Sequence, residues 1–590
     1  MNKDIQIKQT IERIKALNKE RKEILVFASQ KTMERILDAD QPAALVHSFP
    51  EEDLYFLIHD IGPEDALPLL SLASNRQWEY ILDLEIWERD RINVRSITKW
   101  LNLLLKADPD RLIRWILSEK AEFIEYYLFK NIEVRIREHD QDPSVFGKEF
   151  FTHDDTFYVR FIGDTLYGKP KDSTTNPSKE FISHFLKRLA AYDHTKYQYV
   201  LMEASSIIPA ETEEESYRMR NVRLAGKGFL PFHEAIGIYQ PLNSQDFEKL
   251  NVKSIHKVTE QMLPLPGPFY PVDMLKEDNR FTRSLKLINI EDVLEQIEAE
   301  FAGLCNRIIA ADKEIVKNRE ELYKIVKKAC GYISIGLKRL LEDKGKVDTG
   351  RSAALIQKYP LSQIFRVGYG MAIKLKRKAE KWRKKSWFAK MRLPLSFWGE
   401  DWIGVLGGLL IKRPLFFDNY KTGVLYREFN SFEDINKTEK ILNEIIFFDD
   451  LLSLIMLKPK TLSHGFVTYK NFILTLWARH YLGLSKKLDD SEEFSPLTLD
   501  EFKRFFNDLW AGEEKPRKVR NSMKESFLKW LSDKTGLIDY EITRRLGQTL
   551  ENLFGEIESE YGEVDEKYLD SKYIHLFFLE KQKTVRPLSE

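Results

Sequence analysis

The sequence predicts a mostly α-helical protein, built of several bundles stacked like a superhelix or α-solenoid, with one small β-hairpin inserted near residues 149–162. Three observations predict it. Apolar residues recur at steps of three and four through most of the 590 residues, the period of a helix with one buried face. Helix-starting chemistry repeats in the first 130 residues, at Pro50-Glu51-Glu52, Pro63-Glu64-Asp65 and Pro109-Asp110. There each proline lacks an N–H that the first helical turn would leave unpaired, and the acids favour the positive helix end. Around 150–162 the pattern changes to β-branched and aromatic residues.

In chain order, an amphipathic helix comes first, with Ile7, Ile11, Ile14 and Leu17 set among Lys, Glu and Arg. After the three proline starts, Leu54, Leu57 and Ile58, then Leu69, Leu70 and Ala73, then Leu112, Trp115, Ile116 and Tyr127 leave one apolar stripe per helix; Asp108 supplies an N-cap. No such helix buries its stripe alone, so neighbours stack. Pro68 predicts a kink or a late start in the second helix, because an interior proline removes a hydrogen bond and clashes with the preceding turn. Phe150-Phe151-Thr152, His153-Asp154-Asp155 and 156–162 read as strand, turn and strand. Loops follow at 168–178 and at 262–273, where prolines 264, 266, 268 and 271 forbid any helix. Helical spacing returns between them at 179–191, 196–208 and 211–225. Val293, Leu294, Ile297, Phe301, Leu304 and Ile308, then Leu322, Ile325, Val326 and Ala329 beyond a polar break, predict a long antiparallel helix pair. A loop at 343–351 leads into further amphipathic helices, with loops near 486–496 and 511–516. The expected division is 1–130, an N-terminal helical repeat domain; 131–272, hairpin plus helices; 273–395, long helices including a basic one; and 396–590, a C-terminal helical domain.

Composition narrows the function classes. Hydrophobic residues at 43% and aromatics at 12% belong to a folding chain rather than a disordered one. Ninety-two Lys and Arg balance ninety-two Asp and Glu, so any attraction for nucleic acid or an anionic membrane has to be local. Cys305 and Cys330 are too few for a disulfide framework or a cysteine zinc site, which suits a reducing, cytoplasmic setting. The best candidate for a membrane span, 402–411, is about half of the ~20 residues needed, and 466–484 is interrupted by Lys470, Arg479 and His480, so no transmembrane segment is expected.

Gly62-Pro63-Glu64-Asp65-Ala66, Leu69-Leu70, Gln77-Trp78 and Ile81-Leu82-Asp83-Leu84 resemble the superhelical cytoplasmic N domain of MgtE-type magnesium transporters. That likeness implies a helical stack and does not imply ion transport. Glu213-Glu214-Glu215-Ser216-Tyr217-Arg218-Met219-Arg220-Asn221-Val222-Arg223, with Gly228 placed as a C-cap and Glu234-Ala235 after it, resembles an uncharacterised bacterial family, a domain of unknown function that spans nearly the whole chain. The resemblance brings no activity, cofactor or catalytic residue.

Two charged features are the candidate sites. In the first, Glu214 and Arg218 are spaced to pair, while Arg218, Arg220 and Arg223 offer guanidinium forks to a partner's carboxylate or phosphate; a salt-bridged helix packed on its neighbours is the plainer alternative. In the second, residues 374–392 hold ten basic residues and one acid, Glu380, with Trp382, Trp387 and Phe388 interleaved. Leu375, Ala379 and Trp382 share one helical face, and Lys376, Arg377, Lys381, Arg383, Lys384 and Lys385 are the candidate contacts for nucleic acid, an anionic membrane surface or an acidic protein. Residues 551–570, with eight acids and one lysine, are a competing internal partner.

No catalytic or cofactor signature accompanies them. Gly404-Val405-Leu406-Gly407-Gly408 lacks the lysine of a phosphate-binding loop and suits close helix packing; the eleven histidines form no metal-ligand pair; His153-Asp154-Asp155 reads as an ordinary turn. The expected function is a non-enzymatic scaffold for a protein partner, with two alternatives: an anion-binding module using 374–392, or an enzyme whose site converges from distant helices.

Overall fold

Helices dominate the computed structural model, which describes residues 2–162, 177–250, 252–253, 268–342, 348–455, 467–484 and 494–580. Among these residues lie twenty-seven α-helices and three two-stranded antiparallel sheets, a mostly-α fold. The chain divides into two units, Met1–Gly368 and Tyr369–Glu590.

In the first unit the expected stripes are buried: Leu54, Leu57 and Ile58 on helix Glu51–Ile61, Leu69 and Leu70 on Leu67–Leu72, Leu112, Trp115 and Ile116 on Pro109–Glu119. Asp108 caps the last of these by accepting the Arg111 N–H at 3.1 Å. Pro63 starts no helix. Residues 63–66 form a turn and the helix begins late, at Leu67, so that Pro68 falls in its first turn where a missing N–H costs nothing. Tyr127 belongs to the next helix, Ala121–Asn131.

The strand Phe157–Phe161 is present, and Phe151 pairs with Val159 across the His153-Asp154-Asp155 turn. The longer pairing is with Ile132–Ile136, in the register Ile132 to Phe161 through Ile136 to Phe157. Helices Pro177–Tyr192, His194–Ser206 and Pro209–Ala225 follow. The four-proline segment is described only from 268, its residues 262–267 lying outside the described residues, and it does contain a helix, Phe269–Asp273. Pro271 is tolerated at the third position because the first turn's N–H groups have no intrahelical acceptor. Asp53 accepts the two preceding donors, Phe269 and Tyr270 N–H, at 2.8 and 3.2 Å. Of the other expected loops, 168–176, 343–347 and 486–493 also lie outside the described residues.

The long pair is Glu291–Asp312 and Arg319–Glu342, broken at Lys313, which takes a left-handed conformation. Arg319–Glu342 crosses the start of helix Leu361–Lys385 at two glycines. A Cβ on Gly336 would meet the Ile364 carbonyl, and one on Gly368 the Tyr332 carbonyl, so the backbones touch there.

In the second unit, helix Gly399–Leu410 uses its glycines to seat a hairpin instead of another helix. The rings of Phe417 and Tyr426, from the strands Phe416–Phe417 and Tyr426–Arg427, lie where Gly404 and Gly407 side chains would be, and the Leu415 carbonyl covers Gly408. Helices Phe432–Leu454, Tyr469–Tyr481, Leu499–Leu509, Asn521–Thr535 and Asp539–Tyr561 complete the described part, around a core in which the Trp402 and Tyr469 rings stack at 4.4 Å. No described helix is long and apolar enough to cross a membrane.

Candidate functional site

Helix Pro209–Ala225 carries the first charged feature, and of its seventeen residues only Glu213 and Leu224 are buried. Apolar burial therefore contributes little, and ionic contacts hold it to the first unit. Glu213 accepts the Ile92 N–H at 2.8 Å and pairs with Arg91 at 3.0 Å. The Arg223 fork is filled by a carboxylate of the same chain: Nε and Nη2 lie 2.8 and 2.7 Å from the two Asp83 oxygens. Arg220 donates to the Asp83 main-chain carbonyl and lies over the Trp87 ring. Arg218 is exposed and pairs with Glu215, one turn away, in place of the expected Glu214, its Nε and Nη2 each donating to one Glu215 oxygen. Of the three arginines, two are turned inward onto Asp83.

Beyond the helix, Lys227 stands between two acids, 2.6 Å from Glu51 and 2.8 Å from Glu52. Burial pushes the Glu52 carboxyl up; burial also acts on Glu51, but Lys227 holds that carboxyl below its usual range. The lysine, which burial alone would pull down, is held above its usual value by Glu52 and Glu51. Gly228 is not the residue next to the helix end. It sits three positions past Ala225 at φ +88°, against the Gly303 backbone, while the Phe229 N–H closes the end on the Leu224 carbonyl. Glu51, Glu52, Arg76, Arg223, Lys227 and Glu300 border a cleft of about 1170 Å³. Each has a charged partner within the unit: Arg76 on Glu51, Arg223 on Asp83, Lys253 on Glu300.

The second feature is different. Helix Leu361–Lys385 buries Leu375, Ala379 and Trp382, and Ser386 then caps the short helix Trp387–Lys390. The aromatic residues do not interleave with the charges at the surface: Trp382, Trp387 and Phe388 are 8%, 8% and 4% exposed. Asp449 holds this corner from within, accepting Trp382 Nε1–H at 3.2 Å and the Trp387 and Phe388 N–H groups at 3.0 and 2.9 Å. Lys376 is committed internally, donating to the Ile411 and Lys412 carbonyls just past helix Gly399–Leu410, and Lys378 contacts Asn443 and Glu439. Lys374, Arg377, Lys381, Arg383, Lys384 and Lys385 are exposed and have no ion pair or hydrogen bond among the described residues.

The acid-rich segment 551–570 does not supply their counter-charge. Glu551 pairs with Lys524, Glu556 with Lys470 and Asp565 with Lys515, while Glu558 accepts the Val519 N–H and Glu566 a bond from Asn507. These acids were legible by composition. Their partners, spread over 470–524, were not.

No group of three or more His, Cys, Asp or Glu side chains arranged to hold a metal occurs among the described residues. Asp154 accepts Thr156 and Phe157 N–H within its own turn, and Cys305 and Cys330 are buried thiols whose ionisation burial pushes up.

Among known proteins, residues 8–580 match the family of unknown function DUF6178. No curated protein and no solved structure matches the chain.

Proposed function

The chain belongs to DUF6178, a family of unknown function, and we propose that it is a non-enzymatic helical scaffold that holds an anionic partner on the exposed face of helix Leu361–Lys385. The observation that carries this is the set of six cations on that helix with no ion pair or hydrogen bond among the described residues, while Glu551, Glu556 and Asp565 of the acid-rich segment are paired with other cations. Cations in a helix's last turn complement its dipole, which accounts for Arg383, Lys384 and Lys385. It does not account for Lys381, Arg377 and Lys374, about one, two and three turns earlier. Against an enzyme, six of the charged groups bordering the large cleft, Glu51, Glu52, Arg76, Arg223, Lys227 and Glu300, are held in ion pairs, while His47 and Arg13 border it without one among the described residues. Two buried, unbridged thiols fit a cytoplasmic location. The likeness of 62–84 to MgtE-type N domains belongs to the same proposal, as a statement of shape.

The test is retention of the full chain on a sulfated polysaccharide matrix at about 50 mM salt, where surface charge is weakly screened. The protein should bind, and the variant Lys374→Glu/Arg377→Glu/Lys381→Glu/Lys384→Glu should pass through. Flow-through of the unmodified protein would overturn the proposal.

A further inference from the structure

Resting on that anion-holding role and narrowing it, we infer that the partner is a double-stranded nucleic acid, gripped by its phosphates through Lys374, Arg377, Lys381, Lys384 and Lys385 without reading of base sequence. The five positions step by three, four, three and one. At 3.6 residues per turn they fall within an arc of about 100°, and at 1.5 Å per residue they extend about 16 Å along the helix. A duplex carries one charge per about 1.7 Å of axis, so roughly ten phosphates lie along that length. The cations form a single-file ridge. Glu380 flanks it on one side, and on the other Lys378 is drawn to Glu439.

The neighbourhood of the ridge argues against other anions. A lipid surface captures a basic helix by burying the helix's apolar face, and here Leu375, Ala379 and Trp382 are already buried in the protein. Single strands are held by stacking bases on aromatic rings, and Trp382, Trp387 and Phe388 are sealed away. A protein partner needs a dry core of aromatic, methionine or arginine anchors, and lysine is depleted in such interfaces; the ridge offers four lysines, one arginine and no apolar side chain. What remains is a convex row of point charges with donors in every direction. That suits phosphate oxygens on the rim of a groove. Lysines do not present the planar fork that reads guanine, so the contact is indifferent to sequence.

Fluorescence anisotropy of the full chain with a labelled mixed-sequence DNA duplex of about 20 base pairs tests this. Five phosphate contacts predict a log–log salt slope of about −4.5, so that raising salt fourfold weakens binding about 500-fold. A second duplex of unrelated sequence should bind within about twofold, and the four-glutamate variant should not bind. Should that variant melt early, single Lys→Gln changes at 374, 381 and 384 each lower the slope by about 0.9 and serve in its place. Three results overturn the inference while leaving the anion-holding role intact: equal or tighter binding of poly-L-glutamate, of phosphatidylserine vesicles, or of a single strand of the same length. Undiminished duplex binding by the four-glutamate variant overturns the assignment to this helix. Failure to bind any polyanion overturns both proposals.

Discussion

Replacing Lys227 with methionine keeps most of the side chain's volume and removes the cation that sits 2.6 Å from Glu51 and 2.8 Å from Glu52. Glu52 is 5% exposed, so its carboxylate cannot recover water in the variant. Breaking a buried pair by deleting one partner costs about 3–5 kcal/mol, because the charge left behind is uncompensated. Unfolding entropy near 2.1 cal/mol/K per residue, taken over the 368 residues of the first unit, gives about 0.77 kcal/mol/K and a lowering of Tm by about 4–6 °C. Scanning calorimetry of the full chain at pH 7.5 reads this. The pH dependence has a definite sign. Burial already raises Glu52 in the native protein, and loss of Lys227 raises it further, so the deficit is largest where the carboxyl must ionise and fades as pH falls and it takes up a proton. Adding Glu52→Gln to the variant should restore most of the lost stability. A Lys227→Met protein that melts within 1 °C of the parent at pH 7.5, or a deficit that grows on acidification, would refute the view that this lysine clasps the Pro209–Ala225 region to the first unit.

Three further outcomes follow from particular contacts. Glu125, 7% exposed, has its carboxyl pushed up to about 7 by burial and by Glu203 and Glu122. Its contribution is thus fully present below the unfolded value near 4.5 and is lost as pH rises through 7, and Glu125→Gln should raise Tm at pH 8 by an amount equivalent to ~1–3 kcal/mol with little change at pH 4.5. Gly368→Val places a side chain on the Tyr332 carbonyl and should cost ~1–3 kcal/mol or more in chemical denaturation, whereas a valine at Gly512, where nothing lies within 4 Å, should leave the midpoint nearly unchanged. Asp449→Ala strands three buried donors at the Trp382–Phe388 corner, and a loss of ~2–5 kcal/mol with red-shifted tryptophan emission is expected on denaturant titration.

The sequence was most legible where one rule decided the structure. Apolar steps of three and four placed the helices at 179–191, 196–208 and 211–225 within a few residues, because burial of one face is a local pattern. Legibility failed where two rules competed. At Pro63 the proline-acid signal announced a start, but Pro68 vetoed the helix that would have run through it. At Pro271 the veto was overstated, since a first-turn proline forfeits nothing and Asp53, 216 residues earlier, takes the Phe269 donor. The strand Ile132–Ile136 was missed as the partner of Phe157–Phe161 because pairing across a 20-residue connection leaves no local mark. For the candidate sites, composition located both charged helices but not the destination of each charge. Arg220 and Arg223 look as available as Lys381 in the sequence; Asp83, some 140 positions away, is what separates them.

The neutral total of the chain conceals how its charges are distributed. Arg223 is cancelled by Asp83, Lys227 by Glu51 and Glu52, Arg427 by Asp418 and Asp434, and Lys470 by Glu556, each within bonding distance. Pairs that close cast almost no field beyond a Debye length of about 8–10 Å. The ridge from Lys374 to Lys385 is outside this cancellation, so an approaching anion senses it only at short range, and binding should track the number of ridge cations rather than the net charge. Two variants with the same net charge separate these possibilities. Lys374→Gln/Lys381→Gln/Lys384→Gln should lower the magnitude of the duplex salt slope by about 2.7, whereas Lys15→Gln/Lys31→Gln/Lys529→Gln, three exposed lysines elsewhere with no ion pair among the described residues, should leave it unchanged. Equal slopes for the two variants would mean that overall charge, and not the helix face, governs the interaction.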